Sequence, residues 1–121
     1  MPSKNPAQRL RDILDNIDAV ETFIAGITFE KFVHDRKTVY AVTRALEIIS
    51  EASRRLPDEL KMRRPEVDWP AVIAAGNVYR HEYDRVDDAL IWHTAQHDLV
   101  RLREVAQAEL QRVETTDASQ P

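Results

Sequence analysis

Cysteine is absent from this 121-residue chain, and glycine occurs only twice, at Gly26 and Gly76. Without thiols, neither a disulfide framework nor a thiolate metal site can form. Two glycines are too few to turn the many hairpins that an all-β fold of this length would need. Long hydrophobic runs are lacking as well. No stretch approaches the ~20 apolar residues that span a bilayer, and the opening Met1-Pro2-Ser3-Lys4-Asn5-Pro6 has no apolar core of a secretory signal. The expectation is a cytoplasmic protein with no membrane association. Positive charge is in deficit, with 17 Lys and Arg against 21 Asp and Glu. That disfavours sequence-blind binding of duplex nucleic acid, which rests on neutralising phosphates. A local exception is the basic cluster Arg54, Arg55, Lys61, Arg63 and Arg64, set against Asp58 and Glu59. It is expected as a solvated helix end and loop, because charge runs usually mean exposure.

What is present is helical periodicity. Leu10, Ile13, Leu14, Ile17, Val20, Ile24 and Ile27 repeat at the three-and-four spacing of one apolar stripe, which predicts a helix from about Pro6 to Ala25 with Gly26 just past its end. Thr28 can cap a short helix from Phe29 to about His34. A second long helix is predicted over about Arg36 to Leu56, with its core stripe at Val39, Val42, Leu46, Ile49, Ser53 and Leu56, widened by Ala45 and Ala52. Segment 57–67 holds two prolines and many charges, and reads as a connection with one helical turn. Asp68 is a good N-cap for a third main helix over about Trp69 to His81, with Pro70 tolerated in its first turn. Asp87 can cap the last helix, Asp88 to about Val113, whose stripe is Leu90, Ile91, Ala95, Leu99, Leu102, Val105, Ala106 and Leu110. The fold class is therefore all-α: an antiparallel four-helix bundle with one or two extra short helices, forming one domain over residues 1–113. A disordered tail is expected at 114–121, where no apolar residue anchors the chain.

One segment looks built for chemistry. It runs Ala74-Ala75-Gly76-Asn77-Val78-Tyr79-Arg80-His81-Glu82-Tyr83-Asp84. At about 100° per residue, Asn77 and His81 are about 40° apart and Arg80 lies about 60° to the other side of Asn77. An amide, an imidazole and a guanidinium thus share one helical face within about a turn. An Arg stabilises phosphate charge through paired hydrogen bonds, a His moves protons near neutral pH, and an Asn can orient either. The plain structural reading stands beside this one, because Arg80 and His81 also suit the negative end of a helix dipole. Gly76 in the middle of a helix costs about 1 kcal/mol relative to Ala and points to close approach by another helix.

Other groups carry less. His93 and His97 are four apart, a spacing that can hold a metal, but no third ligand is evident and no metal is expected. Arg44, Glu47 and Glu51 share one side of the second long helix, where they form structural ion pairs or support the site. No phosphate-binding glycine loop, nucleophile elbow or dinucleotide fingerprint occurs, so no cofactor is expected.

Three stretches, in order and at these separations, resemble the HepT-like branch of the HEPN superfamily: Arg44-Ala45-Leu46-Glu47-Ile48-Ile49-Ser50-Glu51-Ala52, then Asp68-Trp69-Pro70 leading into Asn77-Val78-Tyr79-Arg80-His81-Glu82-Tyr83, then Trp92 with Asp98-Leu99. The resemblance covers about Arg9 to Leu110. It implies a HEPN-like helical bundle that works as a homodimer, cleaves RNA without a metal as a toxin, and is paired with an MNT-type nucleotidyltransferase antitoxin. The family motif is Arg, a polar residue, three more residues, then His, any residue and Tyr. Asn77 takes the polar place, His81 that of the His and Tyr83 that of the Tyr, which in the family can receive AMP from the partner. The motif Arg falls on Gly76. Either Arg80, one turn along, supplies the displaced charge, or catalysis is lost and the bundle serves as a non-catalytic module that binds a nucleotidyltransferase or a nucleotide.

Overall fold

The computed structural model describes residues 5–81 and 88–119 and, among these, side chains at all positions but 77–81 and 117–119. In chain order the elements are α1 (Ala7–Ile24), α2 (Phe29–His34), α3 (Arg36–Arg54), α4 (Asp58–Met62), α5 (Trp69–His81), α6 (Asp88–His93), a π-helical turn (Thr94–Asp98) and α7 (Leu99–Ser119). No strand occurs among the described residues. The all-α expectation holds, with α2 and α4 as the short extra helices.

Local signals act where the sequence placed them. The Thr28 hydroxyl accepts from the Lys31 N–H at 3.2 Å and starts α2. Gly26 takes φ +73°, the left-handed conformation that closes α1. Asp35 caps α3, accepting from the Thr38 N–H at 3.2 Å and from the Thr38 hydroxyl at 2.7 Å. These bonds, the hydroxyl's first, hold the Asp35 carboxyl below its usual range.

The long helices pack by their apolar stripes. Leu10, Ile13, Ile17 and Val20 of α1, Val42, Leu46 and Ile49 of α3, and Ile91, Leu99, Leu102 and Val105 of the last helix are all buried in one core. α1 lies between α3 and α7, and α5 rests on α3. The α1–α7 pair is antiparallel, because Arg11 meets Glu114 at 3.8 Å while Arg103 meets Asp18 and Glu21 at 2.8 Å each. Trp92 closes the α2 end, its ring centroid 5.1 Å from Phe32 and 6.0 Å from Phe29.

The structure departs from expectation in four places. α6, the π turn and α7 run on without a break, and Ile91, Ala95 and Leu99, each four apart, are all buried along it. Leu90, placed in the core stripe by spacing, is instead 50% exposed, since Ile91 takes the inward position. α7 continues to Ser119, past the Val113 end that the last apolar residue suggested.

The fourth departure lies in the basic cluster: Arg54, Arg55 and Arg63 are exposed, as expected of a charge run, but Arg63 and Arg64 reach a buried carboxylate. Arg63 donates to Glu109 at 2.6 and 3.4 Å, and Arg64 donates to it at 2.7 Å. Glu109 is wholly buried. Burial alone would push its carboxyl up, but the bonds from Arg63 and Arg64 outweigh that and hold it below the ordinary range. Arg54 and Arg55 both grip Glu51, at 2.7 and 2.9 Å, and pull its carboxyl to about 2. The Arg63 and Arg64 pairs tie the connection between α3 and α5 to α7, while the Arg54 and Arg55 pairs stay at the end of α3; all four guanidiniums are engaged by carboxylates.

Candidate functional site

The site segment is the end of α5, and its start is firmly held. Asp68 caps the helix, accepting from the Ala71 N–H at 3.1 Å. Trp69 is buried, and its indole N–H donates to the Arg64 carbonyl at 3.0 Å. The Arg63–Glu109–Arg64 lock therefore reaches α5 through the backbone of Arg64. Beyond Trp69 the side chains facing the bundle become small. Val72 and Ala75 are half-buried and Gly76 is buried. In the same stretch the Ser50 hydroxyl on α3 donates to the Ile73 carbonyl at 3.0 Å.

α5 is helical through His81, so Asn77, Arg80 and His81 occupy one continuous final turn. Their side chains lie outside the described residues, as does the whole of Tyr83. Helix geometry still assigns these positions a face. A cavity of about 550 Å³ opens between α3, α5, the π turn and α7, and among the described side chains of α5 it is lined by Ala71, Val72 and Ala75. Asn77 is about 200° around from Ala75, and His81 about 180° around from Val72. The motif positions thus stand on the far side of α5 from this cavity.

Arg44 and Glu47 are placed elsewhere on α3. They pair with each other at 3.3 Å, with Arg44 largely exposed, in a shallow groove shared with Arg9 and Asp12 of α1. Any support they lend to α5 has to act from the α1 side of α3. His93 and His97 lie with ring centroids 4.7 Å apart, and Asp98 is 3.8 Å from His93. No group of three metal-ligating side chains occurs among the described residues. No described helix is long and apolar enough to cross a membrane.

Sequence reasoning missed Ser50 and Glu109 as determinants of this region. Ser50 stood inside a recognised stretch without a role, and a lone serine or glutamate on an amphipathic helix carries no local sign of a partner 23 or 46 residues away.

Comparison with known proteins bears on what this arrangement does. The model of a family described as ribonuclease HepT-like matches residues 13–109. A protein of Thermococcus cleftensis named probable ribonuclease HepT is 39% identical over 94 residues, covering 78% of this chain and 86% of that one. A protein of Caldanaerobacter subterraneus, provisionally named as an RNase, is 32% identical over 109 residues, covering 90% and 97%. Another provisionally named RNase, from Methanocaldococcus jannaschii, is 33% identical over 94 residues, covering 78% and 86%. No solved structure matches the chain.

Proposed function

We propose an RNA-cleaving function, starting from the fact that this chain belongs to the ribonuclease HepT-like family. The observation that carries the proposal is the unbroken last turn of α5, which puts Asn77, Arg80 and His81 within one turn of helix on the side away from the large cavity. In the reaction the RNA 2′-hydroxyl attacks the adjacent phosphorus. A base takes the hydroxyl proton, the bond from O2′ to phosphorus forms, the bond to O5′ breaks, and an acid protonates the departing oxygen. The products are a 2′,3′-cyclic phosphate and a 5′-hydroxyl.

His81 is the acid–base group in this proposal. One chain supplies one motif His, and a two-fold axis beside α5 supplies the second, so the working unit is a homodimer. Arg80 steadies the charge that builds on phosphorus, in place of the Arg that the family motif has at Gly76. Asn77 orients the two. No step draws on a metal ion. As the toxin of an MNT/HEPN (type VII) toxin–antitoxin pair, the chain is silenced when its nucleotidyltransferase partner acts on Tyr83. The phenol oxygen attacks the α-phosphorus of ATP, AMP is joined to it, and pyrophosphate leaves.

The test is cleavage of single-stranded RNA by the purified protein, wild type against His81→Ala, with chelator present. The variant is expected to lose at least about 100-fold in rate while keeping its helical circular dichroism. A variant that cuts at the wild-type rate overturns the assignment. One observation favours a second reading: Gly76, in the place of the motif Arg, is buried. On that reading the bundle is a non-catalytic module that binds the nucleotidyltransferase or a nucleotide, and the wild-type protein cuts no RNA.

A further inference from the structure

We infer that Ser50 is the positioning residue for the last turn of α5, fixing the register of the motif positions against the bundle. Its consequence for RNA cleavage rests on the function proposed above; its structural part does not.

Ser50 is buried, at 3% exposure, in the face of α3 that meets α5. A helical serine commonly bonds back to its own helix four residues earlier. Ser53, one turn further along, does this, donating to the Ile49 carbonyl at 2.8 Å. Ser50 instead reaches across to α5 and donates to the Ile73 carbonyl at 3.0 Å. In an α-helix that carbonyl is also the acceptor for the Asn77 N–H. Its two lone pairs serve the α3 hydroxyl and the first amide of the motif turn together.

The Asp68 cap and Trp69 set the register at the start of α5, and the packing beyond them leaves the Ser50 bond to carry it into the last turn. Past Trp69, α5 faces the bundle with Val72, Ala75 and Gly76, beside a cavity of about 550 Å³. Small side chains next to empty space resist sliding and rotation weakly, because few atom contacts are lost when the helix shifts. The hydroxyl–carbonyl bond is directional. A slip of one residue moves the acceptor about 1.5 Å along the axis and about 100° around it, and leaves a buried hydroxyl without a partner. Ser50 therefore holds Asn77, Arg80 and His81 at one height and one azimuth. If two copies of the turn must meet across a symmetric seam, any error in that placement enters twice.

The test uses the full chain with Ser50→Ala and Ser50→Thr. Two quantities are read: kcat and KM for a single-stranded RNA oligonucleotide, and backbone amide hydrogen exchange. In Ser50→Ala, kcat is expected to fall about 10- to 100-fold with KM within about twofold of wild type. Exchange at Asn77–His81 is expected to quicken about tenfold or more while α1 is unchanged. Ser50→Thr keeps the hydroxyl, has the neighbouring cavity for its methyl group, and is expected to restore both. Wild-type exchange at Asn77–His81 in Ser50→Ala overturns the inference, and so does a Thr variant as impaired as the Ala variant. If the wild-type chain cuts no RNA, the catalytic reading fails by itself, and the exchange at Asn77–His81 still decides the role of Ser50.

Discussion

Replacing Glu109 by Ala probes the connection that delivers α5 to its place. The carboxylate is wholly buried and takes three hydrogen bonds from two guanidiniums, at 2.6, 2.7 and 3.4 Å. Removing one partner of a buried ion pair costs about 3–5 kcal/mol, because the charges left behind have lost both water and partner. Here the remaining side chains, Arg63 at 36% and Arg64 at 27% exposure, retain some hydration. The lower end of the range, about 3 kcal/mol, is therefore expected. Against a total stability of about 5–15 kcal/mol for a domain, this is a large fraction. For a chain of this size it corresponds to a fall in Tm of roughly 10–15 °C. Glu109→Gln keeps an acceptor but removes the charge, and should fall between Ala and wild type. Urea unfolding followed by circular dichroism at pH 7 measures both. A loss below about 1 kcal/mol for Glu109→Ala, the range of an exposed pair, would refute the view that this triad locks α4 and the following loop to α7.

Four other expectations concern the paired carboxylates and the motif segment. Glu109 and Glu51 both have carboxyls held below their unfolded values, Glu51 at about 2. Their stabilisation is complete above the ordinary glutamate pKa of about 4.3 and is lost as pH falls through the folded values. Unfolding midpoints between pH 5 and about 2 should drop steeply in wild type and less steeply in Glu109→Gln; equal slopes would contradict this. Restoring the motif Arg by Gly76→Arg forces a long cation into a buried helix position, and should cost about 1–3 kcal/mol or more by overpacking, whereas Arg80→Ala should leave stability near wild type and lower RNA cleavage about 100-fold. Incubation with the partner nucleotidyltransferase and ATP should add the mass of one AMP per chain at Tyr83, and an unchanged mass in the presence of active partner would count against that pairing.

The Asp68 cap marked the start of α5, and repetition along the chain was enough to foretell α1, α3 and the last helix. Each buries a continuous stripe, and the stripe repeats at the helix period. The caps at Thr28 and Asp68 and the left-handed Gly26 were legible for the same reason: each is a contact between residues at most three apart in the chain. The order Asn77, Arg80, His81, Tyr83 likewise stood in plain sight, because a motif within two turns of one helix is a local pattern. Its fit to a family was legible too, since that rests on the same short stretches.

What the tertiary structure alone decided is how distant elements meet. Arg63 and Arg64 read as part of a basic patch with no fixed partner until folding set Glu109 between them. Ser50 looked like a polar residue beside a core stripe until α5 lay across it. Helices, caps and motif order follow from interactions between near neighbours in the chain, which residue identity specifies directly. Buried partners and helix register follow from which surfaces exclude water together, and that is fixed only when the whole bundle has closed.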